Sequence, residues 1–162
     1  MTDAEQEQRE KVKEATIECA KQIVDDFVEG MTGISPEEAE RKTRQIRNLC
    51  DVDDLLPADY KRKTLEQVKK LECTANMRQC DILLREAITL SVEGRMGERT
   101  AMLMEARRYF SRACQLGAAL EWRKAFQRAD ETILLTGGHR LGDPTRAKPL
   151  NTSPPTRNRA KV

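Results

Sequence analysis

The stretch from Gly94 to Gly138, GRMGERTAMLMEARRYFSRACQLGAALEWRKAFQRADETILLTGG, decides the fold that we predict for this chain. It holds the only Trp and two of the three Phe of the sequence. Apolar residues recur through its first half at steps of three and four, which places them on one side of a helix. They are Met102, Leu103, Ala106, Tyr109, Phe110, Ala113, Leu116 and Leu120.

A second apolar stripe follows Gly117 and lies about half a turn around from the first. Its members are Trp122, Ala125, Phe126, Ala129 and Ile133. Two explanations stay open for the change of face. Either the helix breaks at Gly117, since glycine commonly ends helices, or one long helix meets one neighbour with its first half and another with its second.

The composition favours helices packed side by side. Hydrophobic residues make up 38% of the chain, charged residues 35% and aromatic residues 4%. Such a chain has a narrow core and a highly charged surface, and its β-branched residues do not alternate as in strands. We therefore predict an all-α fold, an antiparallel helical bundle built on a long helical hairpin.

Three further helices are predicted on the N-terminal side of Gly94. The first covers about Asp3 to Glu29, and Gly30 and Gly33 end it. The second starts with Ser35 as cap and Pro36 as first helical residue, and reaches about Leu49. The apolar face predicted for the first helix comprises Val12, Thr16, Cys19, Ala20, Ile23, Val24, Phe27 and Val28.

The third helix is predicted from Pro57 or Ala58 to about Val92. Its apolar residues also change face along its length, from Leu65 and Val68 in the first half to Cys80 and Leu84 in the second. The short segment Gly94–Gly97 joins it to the next helix. The pattern predicts an antiparallel hairpin with different neighbours at its two ends.

The C-terminal residues differ in composition from the rest. Residues 140–162 carry six basic residues, one acid (Asp143) and four prolines. They offer nothing to bury in a core, so we predict a helical domain over 1–139 and a disordered basic tail over 140–162. The body is left with a small negative excess, and the tail supplies the positive charge.

The cysteines indicate a reducing compartment. Cys19, Cys50, Cys73, Cys80 and Cys114 show no paired metal spacing, and we expect all five to be buried thiols outside any disulfide in a cytoplasmic protein. The acidic start of the chain does not resemble a signal peptide, and no apolar run has the length needed to cross a membrane.

No constellation of residues points to an enzyme. The only histidine, His139, borders the tail and has no local partner to orient it. The acids Asp51, Asp53 and Asp54 start like a calcium loop, but Leu56 and Arg62 stand where that loop needs Gly and Glu. We predict no catalytic residue, no metal and no cofactor.

Five residues are the candidates for binding a partner. Arg107, Arg108 and Arg112 form a basic group on the aromatic-rich helix, and Trp122 and Phe126 lie one turn apart on the next stripe. The arginines suit an acidic protein or a nucleic-acid backbone. The two aromatic residues are expected to be buried, either in the core or under a partner.

The function that we infer from the sequence is that of a non-catalytic intracellular adaptor or assembly protein. Its partner would be another protein or a second copy of the chain, and no membrane is expected. The alternative is a nucleic-acid-associated protein that uses the basic tail and the Arg107, Arg108 and Arg112 face.

Overall fold

The structure, a computed structural model, describes residues 2–51 and 55–135. These residues form five α-helices and no strand, which confirms the all-α prediction. The helices are α1 (Asp3–Glu29), α2 (Pro36–Asp51), α3 (Ala58–Val92), α4 (Met96–Gln115) and α5 (Leu120–Leu135). The predicted tail over 140–162 and the predicted domain boundary at 139 lie outside the described residues.

The helix ends follow from local sequence signals. Thr2 and Glu5 form a reciprocal capping box at the start of α1, and the Ser35 hydroxyl accepts the Glu38 amide at 3.2 Å at the start of α2. Gly117 has a φ of +89°, a left-handed conformation that glycine adopts without strain. Gly117 therefore separates α4 from α5, and of the two explanations left open the break is correct.

The residues divide into two compact units, and the division falls inside α3 at Asn76. The first unit is built from α1, α2 and the first half of α3. Its core contains Val24, Val28, Met31, Ala39, Ile46, Cys50, Leu56, Val68 and Ala75. Polar contacts also join the helices here: the Tyr60 hydroxyl of α3 lies 2.6 Å from Asp25 Oδ1 of α1, and the Thr43 hydroxyl of α2 lies 3.0 Å from Oε1 of the buried Glu72.

The second unit is built from the rest of α3, α4 and α5. Its core contains Cys80, Leu84, Ala87, Leu103, Ala106, Tyr109, Phe126 and Ile133. The Cys80 thiol donates to the Ala106 carbonyl at 3.3 Å, which ties α3 to α4 across the short turn between them. The pairing of residues before and after that turn confirms the predicted antiparallel hairpin.

The change of apolar face along α3 now has a cause. Val68 and Ala75 belong to the core of the first unit, while Cys80 and Leu84 belong to the core of the second. The two halves of the helix thus meet different neighbours, as the sequence predicts. None of the helices in residues 2–51 and 55–135 has an apolar window that would fit a bilayer.

The five cysteines form no disulfide, as predicted, but not all are buried. Cys50, Cys73 and Cys80 are buried, Cys114 is half-buried and Cys19 is exposed. The expectation of a buried Cys19 was wrong because the core-facing side of α1 lies around the helix from this residue, as described below.

Candidate interaction site

Arg107 is a bridge between helices rather than part of an outer face. Its Nε lies 3.1 Å from Asp130 Oδ2 and its Nη2 lies 3.0 Å from Asp130 Oδ1, so α4 and α5 are joined by a two-pronged ion pair. The Asp130 side chain is 18% exposed and that of Arg107 is 41% exposed. Arg107 therefore contributes less to the predicted basic group, because α5 brings a carboxylate to it.

Arg108 and Arg112 are held by neighbours on their own helix. Arg108 Nη2 lies 3.0 Å from Glu105 Oε2, and its guanidinium carbon lies 4.5 Å from the centroid of the Tyr109 ring. The hydrogen bond that Arg108 donates to Glu105 raises the pKa of Arg108. Arg112 Nη1 donates to Gln115 Oε1 at 3.4 Å. Arg108 is exposed and Arg112 is half-buried.

The aromatic residues pack together between α4 and α5. The rings of Phe110 and Phe126 are stacked with centroids 4.1 Å apart, and Trp122 lies 5.5 Å from Phe110 at a tilt. Phe126 is buried and Trp122 is half-buried. Burial within the chain is thus confirmed for Phe126, whereas Trp122 keeps one part of its indole at the surface.

Arg99 contributes to this helix pair in a way that the sequence did not indicate. Its Nη1 donates to the Ile133 carbonyl at 3.2 Å, near the C-terminal end of α5, where carbonyls lack partners within the helix. Burial and the nearby Arg107 lower the pKa of Arg99. A cation at a helix C-terminus is favourable, so Arg99 serves to fix the end of α5.

An exposed apolar line lies on α1. Every residue from Thr2 to Thr16 is exposed, and the burial of α1 starts only in its second half, at Val24 and Val28. We call Val12, Thr16, Cys19 and Ile23 the α1 stripe, since they follow one line along the helix. Val12 is 56% exposed and Ile23 is 51% exposed.

The prediction of one broad apolar face on α1 was wrong. The residues of α1 that contact the core are Ala20, Val24, Phe27 and Val28, and the α1 stripe lies about a quarter of a turn away from them. A signal was present, since the stripe keeps its own steps of four, three and four residues. Because both lines are apolar, helical periodicity alone predicts a single broad face and does not separate the exposed line from the buried one.

Charges surround the α1 stripe unevenly. Arg9, Lys11 and Lys13 lie beside its N-terminal end, while Asp26 and Glu29 lie beyond its C-terminal end. Asp26 Oδ1 accepts a bond from Gln22 at 2.9 Å and is exposed. The flanks of the stripe therefore carry cations beside Val12 and carboxylates beyond Ile23, while Glu5 lies on the line of the stripe about two turns before Val12.

Other surface features offer less for binding. A depression of about 410 Å³ on α5 is lined by Lys124, Gln127, Arg128, Asp130 and Glu131, all from one helix, so no second element closes over a ligand. Among residues 2–51 and 55–135, no group of three or more His, Cys, Asp or Glu side chains is placed to hold a metal ion. His139 lies outside the described residues.

No family model matches this chain, and neither a curated protein nor a solved structure matches it. The described residues define its class as an all-α protein with two compact helical units and an exposed N-terminal helix face.

Proposed function

We propose that this protein is a non-catalytic helical adaptor or assembly protein that acts by binding another protein through α1. One observation carries the proposal: the first half of α1 is a capped helix whose residues from Thr2 to Thr16 are exposed. We place it in a reducing compartment such as the cytoplasm, in keeping with five cysteines that form no disulfide.

Energetics support a covered α1. An isolated helix shorter than about 12–15 residues is marginal in water, and each surface ion pair adds only about 0.2–0.5 kcal/mol. Val12 and Ile23 contribute little while they face water, whereas covering apolar surface gains about 25 cal/mol per Å². A partner packed on the α1 stripe would thus stabilise the part of the helix that the core does not reach.

The residues selected from α4 and α5 take secondary roles in this proposal. Phe126 packs in the core of the second unit, and Arg107 joins α4 to α5 through Asp130. Arg108, Arg112 and the exposed part of Trp122 form a second candidate surface for a partner, on the second unit.

The nucleic-acid alternative has less support among the described residues. Arg107 is paired with Asp130 and Arg108 with Glu105, which leaves less positive charge for phosphates. A salt titration distinguishes the two functions. Nucleic-acid binding that weakens steeply with added salt would favour the alternative, and the lack of binding at low salt would remove it.

Site-specific photo-crosslinking in the native source tests the proposal. The photoreactive residue replaces Thr16 on the α1 stripe, and the control replaces Thr89 of α3. Both threonines are exposed and both hydroxyls donate to a carbonyl four residues earlier, so the changes are matched. We expect a defined protein adduct, identified by mass spectrometry, at position 16 and much less at 89. Equal labelling at both positions, or no protein adduct at 16, contradicts the proposal.

A further inference from the structure

The α1 stripe has a symmetry of its own. Its spacing of four, three and four residues reads the same in both directions, with the midpoint between Ile17 and Glu18. The stripe is about 16 Å long at 1.5 Å per residue. The larger aliphatic residues Val12 and Ile23 stand at the two ends of the stripe. The smaller residues Thr16 and Cys19 occupy the two inner positions.

We propose that the partner of the α1 stripe is the α1 stripe of a second copy of this chain, packed antiparallel. This inference rests on the proposed function, of which it names the partner. A twofold axis through the midpoint sets Val12 against Ile23 of the second copy, and Thr16 against Cys19. Each large side chain thus meets a large one and each smaller one meets a smaller one, as in a self-complementary interface.

Charge complementarity selects the second copy and the antiparallel direction. Lys11 and Asp26 lie on the same flank of the stripe, one near each end. A twofold axis brings that flank of one helix beside the same flank of the other, so Lys11 of one copy lies near Asp26 of the next. A parallel pair would set one flank beside the opposite flank at the same level, so Lys11 of one copy would lie near Arg9 and Lys13 of the other, which is unfavourable.

The small size of the α1 stripe limits the affinity of the proposed dimer. Four side chains over about 16 Å bury less than a standard interface, so the dimer is weak and its population depends on concentration. Such a pair suits an assembly protein that exchanges copies or partners rather than a permanent dimer.

Paired cysteine variants test the geometry. Val12→Cys and Ile23→Cys are each made in a Cys19→Ser background, and the purified full chains are oxidised singly and as a mixture. We expect disulfide-linked dimers from the mixture and only the background of the Cys19→Ser parent from each variant alone, since two copies of position 12 lie about 16 Å apart in this arrangement. Linkage of each variant with itself, as in a parallel pair, or no linkage in the mixture overturns the proposal.

Sedimentation velocity over about a hundredfold range of concentration tests the strength. Ile23→Lys places a third cation near Lys11 and Lys13 of the second copy and should weaken dimerisation at least about tenfold. Ile82→Lys is the matched control, since Ile82 is 49% exposed on α3, and it should leave dimerisation unchanged. A monomer at every concentration, or equal weakening by both changes, overturns the proposal. A different protein crosslinked at position 16 would then still support the proposed function.

Discussion

Arg107 of α4 and Asp130 of α5 form a two-pronged ion pair, with N–O distances of 3.1 and 3.0 Å. Together with the stacked rings of Phe110 and Phe126, it sets how the two helices pack. Arg107, which the sequence indicated as a partner-binding residue, therefore holds two helices of the second unit together.

The first prediction concerns this ion pair. Arg107→Ala should lower the free energy of unfolding by about 1 kcal/mol, a modest cost because both side chains keep some contact with water. Urea denaturation measures it. Arg108→Ala is the control, since its partner Glu105 lies on the same helix, and it should cost less than about 0.5 kcal/mol. An equal cost for both would show that the bridge between helices has no special role.

The second prediction concerns the aromatic residues. Phe126→Ala should cost about 3–5 kcal/mol, as expected for truncation of a buried aromatic residue, and Trp122→Ala should cost clearly less because its ring is half-buried. Thermal or urea unfolding of the two variants measures the difference. A larger loss at Trp122 than at Phe126 would contradict the packing of these rings between α4 and α5.

The third prediction concerns alkaline pH. Burial raises the pKa of Cys80 from 9.0 to about 12, and burial with the Asp25 bond raises the pKa of Tyr60. A group whose pKa is higher in the folded state than in the unfolded state stabilises the fold while the pH is below its unfolded-state pKa. That contribution to the free energy of unfolding is lost as the pH rises towards the folded-state pKa. Stability should therefore fall from about pH 9 towards pH 12.

Cys80→Ala provides the control for that prediction. The variant lacks the titrating thiol, so its free energy of unfolding should depend less steeply on pH over the same range than that of the natural chain. Identical slopes for the two proteins would show that Cys80 does not contribute.

These residues also show what the sequence can and does not reveal. Periodicity predicted the helices well, because most residues of each apolar line in α3, α4 and α5 contact a core, although Leu120 at the end of the first line is 53% exposed. The change of face in α3 correctly indicated two sets of neighbours. On α1, however, Val12 and Ile23 follow the helical spacing as regularly as Val24 and Val28, and only the packing of the chain distinguishes an exposed line from a buried one.

The arginines show that the sequence pattern also fails to distinguish polar residues with different surroundings. Arg107 and Arg108 are adjacent in sequence and identical in type, yet one reaches Asp130 on another helix and the other reaches Glu105 on its own. The separation of Arg107 from Asp130 along the chain hides the pair from any local pattern. Arg99 and the Ile133 carbonyl are hidden for the same reason.

The fourth prediction concerns the charges beside the α1 stripe. Lys11→Glu and Asp26→Lys should each weaken the association of two copies, because each places like charges beside one another. The double variant restores opposite charges and should regain most of the lost affinity, which sedimentation velocity measures. Additive weakening in the double variant would show that the two residues do not meet across the interface.

The central claim is that the α1 stripe of a second copy covers the α1 stripe, and hydrogen exchange of residues 6–16 tests it most directly. These amides belong to a helix segment that the core does not reach, so we predict rapid exchange in dilute purified protein. We predict slow exchange in concentrated protein or in the disulfide-linked antiparallel dimer, where a second α1 covers the stripe. Exchange that is equally fast, or equally slow, in all three samples would contradict the claim.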